Sequence, residues 1–411
     1  MEQLNYVFVG VDTHKNQHTA CVLSCFHEKL GLIQTPNNPA HFESFIQDIN
    51  SFITPDKKII FGLEDTQGLG HSLAQWLLDQ GYTVKEVNPA LTKRERHHSA
   101  NPDKSDEIDA EAIANVLLVD LNELPDAIYD ANFKAIRQLN NQRKTLVKEQ
   151  TKLKNRFHNL IHQQYPEYKK FFSDPFGKTA IAFYEKFPHP SELDYYGEIR
   201  LQDFLNDQVK SIGNDKAETI LSLVDKNKKK TADAEARNTI IKSTIEHLRL
   251  LKKSLEKINS QLEKAVEKSQ YQLTTMPGID FKLAALFISN IKNIDRFESA
   301  SKLARYAGLA PVEHSSGTSK NLSYKKYGCR DLNHAFYLLA VQQIGSSIHG
   351  KIKNPISYKY YQKKLQEGKS QKVALTCLER RLVDIIYAMM RDRSAYKLPE
   401  NVDYKVLDKA S

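Results

Sequence analysis

The sequence of 411 residues has few cysteines and no long apolar runs. Cys21, Cys25, Cys329 and Cys377 form no C-x-x-C pair, so neither a zinc ribbon nor a disulfide framework is indicated. No apolar stretch approaches the roughly 18 residues of a membrane span. The opening Met-Glu-Gln-Leu-Asn-Tyr lacks the basic and apolar regions of a secretory signal. A cytoplasmic, reducing setting without membrane attachment is the expectation. The scattered histidines show no metal-binding spacing. What is present is ordinary for a globular chain: 40% apolar and 27% charged residues, at a length suited to two or three domains. The net charge of +9 suits a polyanionic partner without proving one.

Period-two and period-3.6 patterns alternate in the first part. Strands are expected at Tyr6–Asp12, His18–Ser24, Leu30–Gln34, Lys58–Glu64 and Thr83–Val87. Helices are expected at about Pro39–Ile53, Gly70–Gln80 and Ser105–Leu118. Three strands followed by helix–strand–helix–strand–helix predict a three-layer α/β domain over residues 1–128.

Residues 129–270 have a different character. Positions 136, 139, 143, 146, 150, 153, 157 and 160 carry six apolar residues of eight, and positions 241, 244, 248, 251, 255, 258, 262 and 265 carry seven of eight. Such spacing is a coiled-coil seam, formed either within one chain or between chains. Between the seams lies an insert at about 166–230, which ends in the charged run Asp-Lys-Asn-Lys-Lys-Lys, most simply a solvated loop. Residues 271–397 read as a helical domain. There Met276-Pro277-Gly278-Ile279 precedes an apolar helix at Leu283–Ile291, and Lys369–Arg391 forms a last amphipathic helix. A loosely held tail, 398–411, follows. The fold class is therefore α/β plus all-α.

Chemistry is suggested by four acids. Asp12 and Glu64 each end an apolar strand, where ligands bind in α/β folds. If those strands are neighbours, the two carboxylates lie side by side and repel unless a cation separates them. Hard oxygen ligands of this kind suit Mg²⁺ or Mn²⁺. Asp106 and Asp109 share one face of the next helix, although acids in a first turn also complement the helix dipole without any catalysis. A strand-end Asp, a central-strand-end Glu and a later helix with two Asp describe a ribonuclease-H-like core that acts on phosphates through metals.

These residues carry a resemblance. Gly10-Val11-Asp12-Thr13-His14-Lys15, Leu63-Glu64-Asp65-Thr66, Val87-Asn88-Pro89-Ala90-Leu91 and Lys104-Ser105-Asp106-Glu107-Ile108-Asp109-Ala110 resemble the RuvC-like DEDD domain of bacterial insertion-sequence transposases. This is the family usually called one-ten, which includes the pilin-gene invertases. Met276-Pro277-Gly278-Ile279, Tyr306-Ala307-Gly308-Leu309-Ala310-Pro311, Ser315-Ser316-Gly317 and Glu367-Gly368-Lys369 are similar to its second, transposase-specific domain.

The resemblance implies a DNA transposase that cleaves and rejoins DNA, with a Mg²⁺-binding tetrad of Asp12, Glu64, Asp106 and Asp109 (Mn²⁺ also fits) and Ser316 as nucleophile. It further implies donor and target DNA as partners, a structured non-coding guide RNA, a dimer or tetramer joined through the coiled coil, and nucleoid association when active. Ser316 departs from the usual pattern in having Ser315 beside it, and Tyr-Lys-Lys-Tyr-Gly stands where relatives commonly read Ser-Lys-Arg-Gly. Basic residues flank both candidate sites: Lys93, Arg94, Arg96 and Lys104 before the second acid pair, and Lys320, Lys325, Lys326 and Arg330 after Ser316. They are candidate nucleic-acid contacts. A site-specific invertase of the pilin type, or a metal-dependent RuvC-like nuclease or junction resolvase in which Ser316 is structural, are the alternatives.

Overall fold

A computed structural model describes residues 2–64, 68–96, 105–127, 130–209, 215–224, 232–310, 312–316, 319–323, 328–346 and 352–397. Side chains in 312–316 and 319–323 lie outside the description. The chain divides into two compact units: Met1–Arg137 with Ala265–Ser411, and Gln138–Lys264.

The first unit begins with strands β1 (Tyr6–Thr13), β2 (Gln17–Leu23) and β3 (Lys29–Pro36). Helix α1 (Phe42–Asn50), strand β4 (Lys58–Leu63), helix α2 (His71–Asp79), strand β5 (Thr83–Glu86) and helices α3 (Pro89–Arg96) and α4 (Asp106–Val119) follow. The five strands form one mixed sheet in the order β3-β2-β1-β4-β5. β2 is antiparallel to β1 and β3, whereas β4 runs parallel to both β1 and β5. Val7, Val9 and Val11 face the core shared with α1 and α2; Phe8 faces the opposite core, against α4. Three layers result.

The helix expected at Pro39–Ile53 is shorter. Asn38 caps a 3₁₀ turn at Pro39–His41, and the α-helix proper is Phe42–Asn50. The segment after Val87 holds an unanticipated helix, α3, because its eight residues show little apolar periodicity and only Thr92 is buried.

The second unit holds most of the long helices α5 (Ala131–Gln164) and α9 (Ala232–Lys268), and between them in the chain α6 (Lys178–Lys186), α7 (Gly197–Gln208) and α8 (Lys216–Leu223). Arg143 Nε donates to Asn259 Oδ1 at 3.0 Å, and Gln164 Nε2 to Asn238 Oδ1 at 2.8 Å. The two long helices therefore run antiparallel, side by side in one chain. All eight positions of each seam are buried or half-buried. Phe157, Tyr165, Phe171, Phe183, Tyr184 and Phe187 build an aromatic core under the shorter helices. The charged run 225–230 lies outside the described residues.

The chain re-enters the first unit with α10 (Phe281–Ile291), α11 (Ala300–Tyr306), a hairpin of β6 (Val312–Ser316) and β7 (Ser319–Ser323), and α12 (Arg330–Ile344), α13 (Pro355–Gln366) and α14 (Gln371–Arg391). α10 starts where Asp280 accepts from Leu283 N, after a turn in which Gly278 takes a φ of +86°. α14 buries Ala374, Leu378, Leu382, Ile386 and Met389 along one stripe. Among the described residues no helix is long and apolar enough to cross a membrane.

Candidate active site

The register of the sheet brings two acids together. Val11 of β1 pairs with Leu63 of β4 in parallel, and Asp12 and Glu64 are each one residue further along. Alternation turns both toward α4, since they are two residues past the paired Gly10 and Gly62.

Glycine brings the helix down onto that face. A Cβ on Gly10 would lie 2.2 Å from Ala114 N and 2.3 Å from Ala110 O, so the α4 backbone rests directly on β1. Asp106 is one helical turn from Ala110, and Asp12 is two strand residues from Gly10. The two steps are both about 6 Å, which carries Asp106 over Asp12. Ser105 starts the helix there, its Oγ accepting from Ile108 N at 3.2 Å.

The result is a crowded acidic site. Burial pushes the Asp12 carboxyl above its usual range; Asp109 and Asp106 push it further, against the opposing pull of His14. Burial likewise raises the Glu64 carboxyl, with Asp12 and Asp109 adding to it and Thr92 and Arg96 opposing. Asp12 thus interacts with all three of the other predicted acids, and Glu64 with Asp12 and Asp109. Arg96 Nη1 donates to Asp109 Oδ1 at 2.5 Å, placing one of the candidate basic residues against the acids.

His14 is the residue that sequence reasoning did not assign. Its Nε2 lies 3.1 Å from Asp12 Oδ2 and 3.1 Å from Asp106 Oδ1. These three side chains offer ligand atoms within 4.8 Å of one another, a donor set that fits a divalent cation. The available signal was Asp-x-His at the end of a strand, which puts both side chains on one face.

The turn bearing His14 is fastened by Asn37, at the end of β3. Asn37 Nδ2 donates to His14 O at 3.2 Å and Leu69 O at 3.0 Å, tying the β1–β2 turn to the segment before α2.

The remaining predicted residues are dispersed. Ser316 is the last residue of β6, paired with Ser319, on a hairpin separate from the five-stranded sheet. Ser315-Ser316, otherwise readable as a turn, is thus strand. Lys93 is exposed on α3, and Arg94 lies 3.4 Å from Asp120. Lys320 is on β7, and Arg330 opens α12, exposed. Lys104, Lys325 and Lys326 lie outside the described residues.

Residues 9–166 match a family model described as a transposase, the DEDD type of IS110, and residues 270–362 match one described as a transposase of the IS116/IS110/IS902 family. The chain carries the transposase domains of the IS110/IS116/IS902 family. That family consists of DNA-cleaving and rejoining enzymes. The chain is 24% identical over 397 residues to the insertion element IS116 uncharacterized 44.8 kDa protein of Streptomyces clavuligerus, covering 95% of this transposase-family chain and 96% of that relative. The insertion element IS110 uncharacterized 43.6 kDa protein of Streptomyces coelicolor is 25% identical over 264 residues, 63% of this chain and 64% of its own length. The pilin gene-inverting protein of Moraxella bovis is 33% identical over 126 residues, 30% of this chain and 37% of its own. The first family match covers Asp12, Glu64, Asp106 and Asp109, and the second covers Ser316.

Proposed function

We propose that this chain is a metal-dependent DNA transposase in which Asp12, Glu64, Asp106 and Asp109 hold Mg²⁺ or Mn²⁺ and Ser316 is the nucleophile. The observation that carries the reading is the convergence of the four acids at one end of the sheet, where burial and the neighbouring acids raise the carboxyls of Asp12 and Glu64. The strand order β3-β2-β1-β4-β5, with β4 and β5 parallel to β1, supports a ribonuclease-H/RuvC-like N-terminal domain.

A divalent ion held by Asp12, Glu64, Asp106 and Asp109 would neutralise phosphate charge and stabilise the leaving oxygen. Ser316 Oγ attacks the DNA phosphorus, a phosphoserine bond forms, and the P–O bond to one sugar breaks. The serine proton passes to solvent or a base, and the freed sugar oxygen takes a proton to leave as a hydroxyl. Rejoining reverses the exchange on a second strand end. The phosphodiester energy is conserved throughout. Lys93, Arg94 and Lys104 on one side, and Lys320, Lys325, Lys326 and Arg330 on the other, contact nucleic-acid phosphates. By resemblance to the family, a structured non-coding RNA guides the enzyme to donor and target DNA, and copies associate through α5 and α9.

The test traps cleavage on a nicked suicide DNA, denatures the mixture and looks for a DNA-shifted protein band. The adduct should map to Ser316, vanish in Ser316→Ala and persist in Ser315→Ala. Efficient cleavage by Ser316→Ala would sink the serine mechanism and favour a resolvase-like nuclease. The pilin gene-inverting relatives favour a second reading, site-specific inversion. It predicts recombination only between two inverted sites on one molecule.

A further inference from the structure

We infer that His14 is itself a ligand of the metal held by Asp12 and Asp106, making the centre a mixed nitrogen–oxygen site. The inference rests on the metal-dependent reading above and adds a residue to it.

Geometry supports ligation. An octahedral ion with bonds of about 2.1 Å sets neighbouring donor atoms about 3.0 Å apart and opposite ones about 4.2 Å apart. His14 Nε2 stands 3.1 Å from an oxygen of each aspartate, and all three donor atoms fall within 4.8 Å. One ion can therefore meet the three atoms with little movement.

The approach of the ring is built into the backbone. His14 N donates to Gln17 O at 3.2 Å, closing the β1–β2 turn, and the Asn37 amide holds His14 O from the other side. Asp12 and His14 come from the same strand end, and Asp106 comes from the start of α4, ninety-two residues later. The ring is about half exposed, with 47% of its side chain open, which leaves room for an ion and a phosphate to enter.

Imidazole changes which ion is preferred. Carboxylate-only sites suit Mg²⁺, whereas a nitrogen donor raises affinity for Mn²⁺, Co²⁺ and Zn²⁺. The competing account makes His14 a hydrogen-bond donor that spaces the two carboxylates and moves aside when the ion binds. The two accounts predict opposite effects of removing the ring.

The experiment titrates full-length, DNA-free protein with Mn²⁺ and reads bound ion by electron paramagnetic resonance, with pulsed detection of ¹⁴N coupling. Wild type should show an imidazole ¹⁴N coupling. His14→Ala should lose it and bind Mn²⁺ at least tenfold more weakly, with a smaller change for Mg²⁺. Unaltered circular dichroism of the variant separates these effects from misfolding. Bound Mn²⁺ that depends on Asp12 yet shows no ¹⁴N coupling, or unchanged or tighter binding in His14→Ala, overturns the ligand assignment. Mn²⁺ binding that is absent in wild type, or indifferent to Asp12→Asn, overturns the metal-dependent reading itself.

Discussion

Lys292 Nζ lies 2.7 Å from Glu86 Oε2, pairing the end of α10 with the last residue of the sheet's edge strand β5. Arg296 Nη1 lies 3.4 Å from the same oxygen. The lysine and arginine side chains are only 4% and 1% exposed, so one carboxylate answers two buried cations. Arg296 also stacks near the Phe297 and Tyr306 rings, 5.1 and 5.3 Å from their centroids. This cluster joins the sheet that carries the acids to the helices that flank the Ser316 hairpin.

Glu86→Gln should therefore destabilise the protein by about 3–5 kcal/mol, because it strands two buried cations. Urea unfolding measures it, and a loss under 1 kcal/mol would show that the cluster is dispensable. Burial opposes charge on Glu86, but Arg296 and Lys292 outweigh it and hold the carboxyl below its ordinary value. Its contribution is complete above the unfolded value near about 4.3 and fades as pH falls through the lower folded value. Wild type should lose stability below about pH 4 more steeply than Glu86→Gln.

Gly10→Ala should be severe. The added methyl meets the backbone of Ala110 and Ala114, which cannot yield as a side-chain tip can. We expect a loss of at least about 1–3 kcal/mol, with Mn²⁺ affinity falling as Asp106 moves away from Asp12. Gly62→Ala is the milder comparison, since its new methyl meets only side chains, the nearest at 3.1 Å from Val87. Equal melting temperatures for Gly10→Ala and wild type would refute the close helix–strand contact.

Glu64→Gln should separate stability from activity. It removes a half-buried charge that Asp12 and Asp109 repel, so the metal-free protein should gain on the order of 1 kcal/mol. DNA cleavage should disappear. Calorimetry without metal and a strand-cleavage assay check the two halves, and wild-type cleavage would remove Glu64 from the site.

Asn37→Ala should cost little stability, roughly 1–2 kcal/mol, because its bonds are partly exposed. Its effect on cleavage should be larger, about a hundredfold, since the turn bearing His14 would lose its fastening. Comparable small losses in both would make Asn37 a local turn residue only.

Much of this was written locally. Apolar runs marked the five strands, Ser105 marked the start of α4, and a three-residue spacing put Asp106 and Asp109 on one face. The two seams marked the buried positions of α5 and α9, because a helix repeats its inward face every three to four residues. Helix α3 escaped because its basic sequence has almost no apolar face, and the Ser316 strand escaped because a short polar hairpin has no burial pattern to read. Tertiary structure alone decided the β1–β4 register that sets Asp12 beside Glu64, the descent of α4 onto Gly10, and the meetings of His14 with Asp106, Arg96 with Asp109 and Glu86 with Lys292. Residues near in sequence reveal themselves through the periodicity of their own element. Most of these partners belong to different elements, up to 206 residues apart, and only the packing of one element against another brings them within reach.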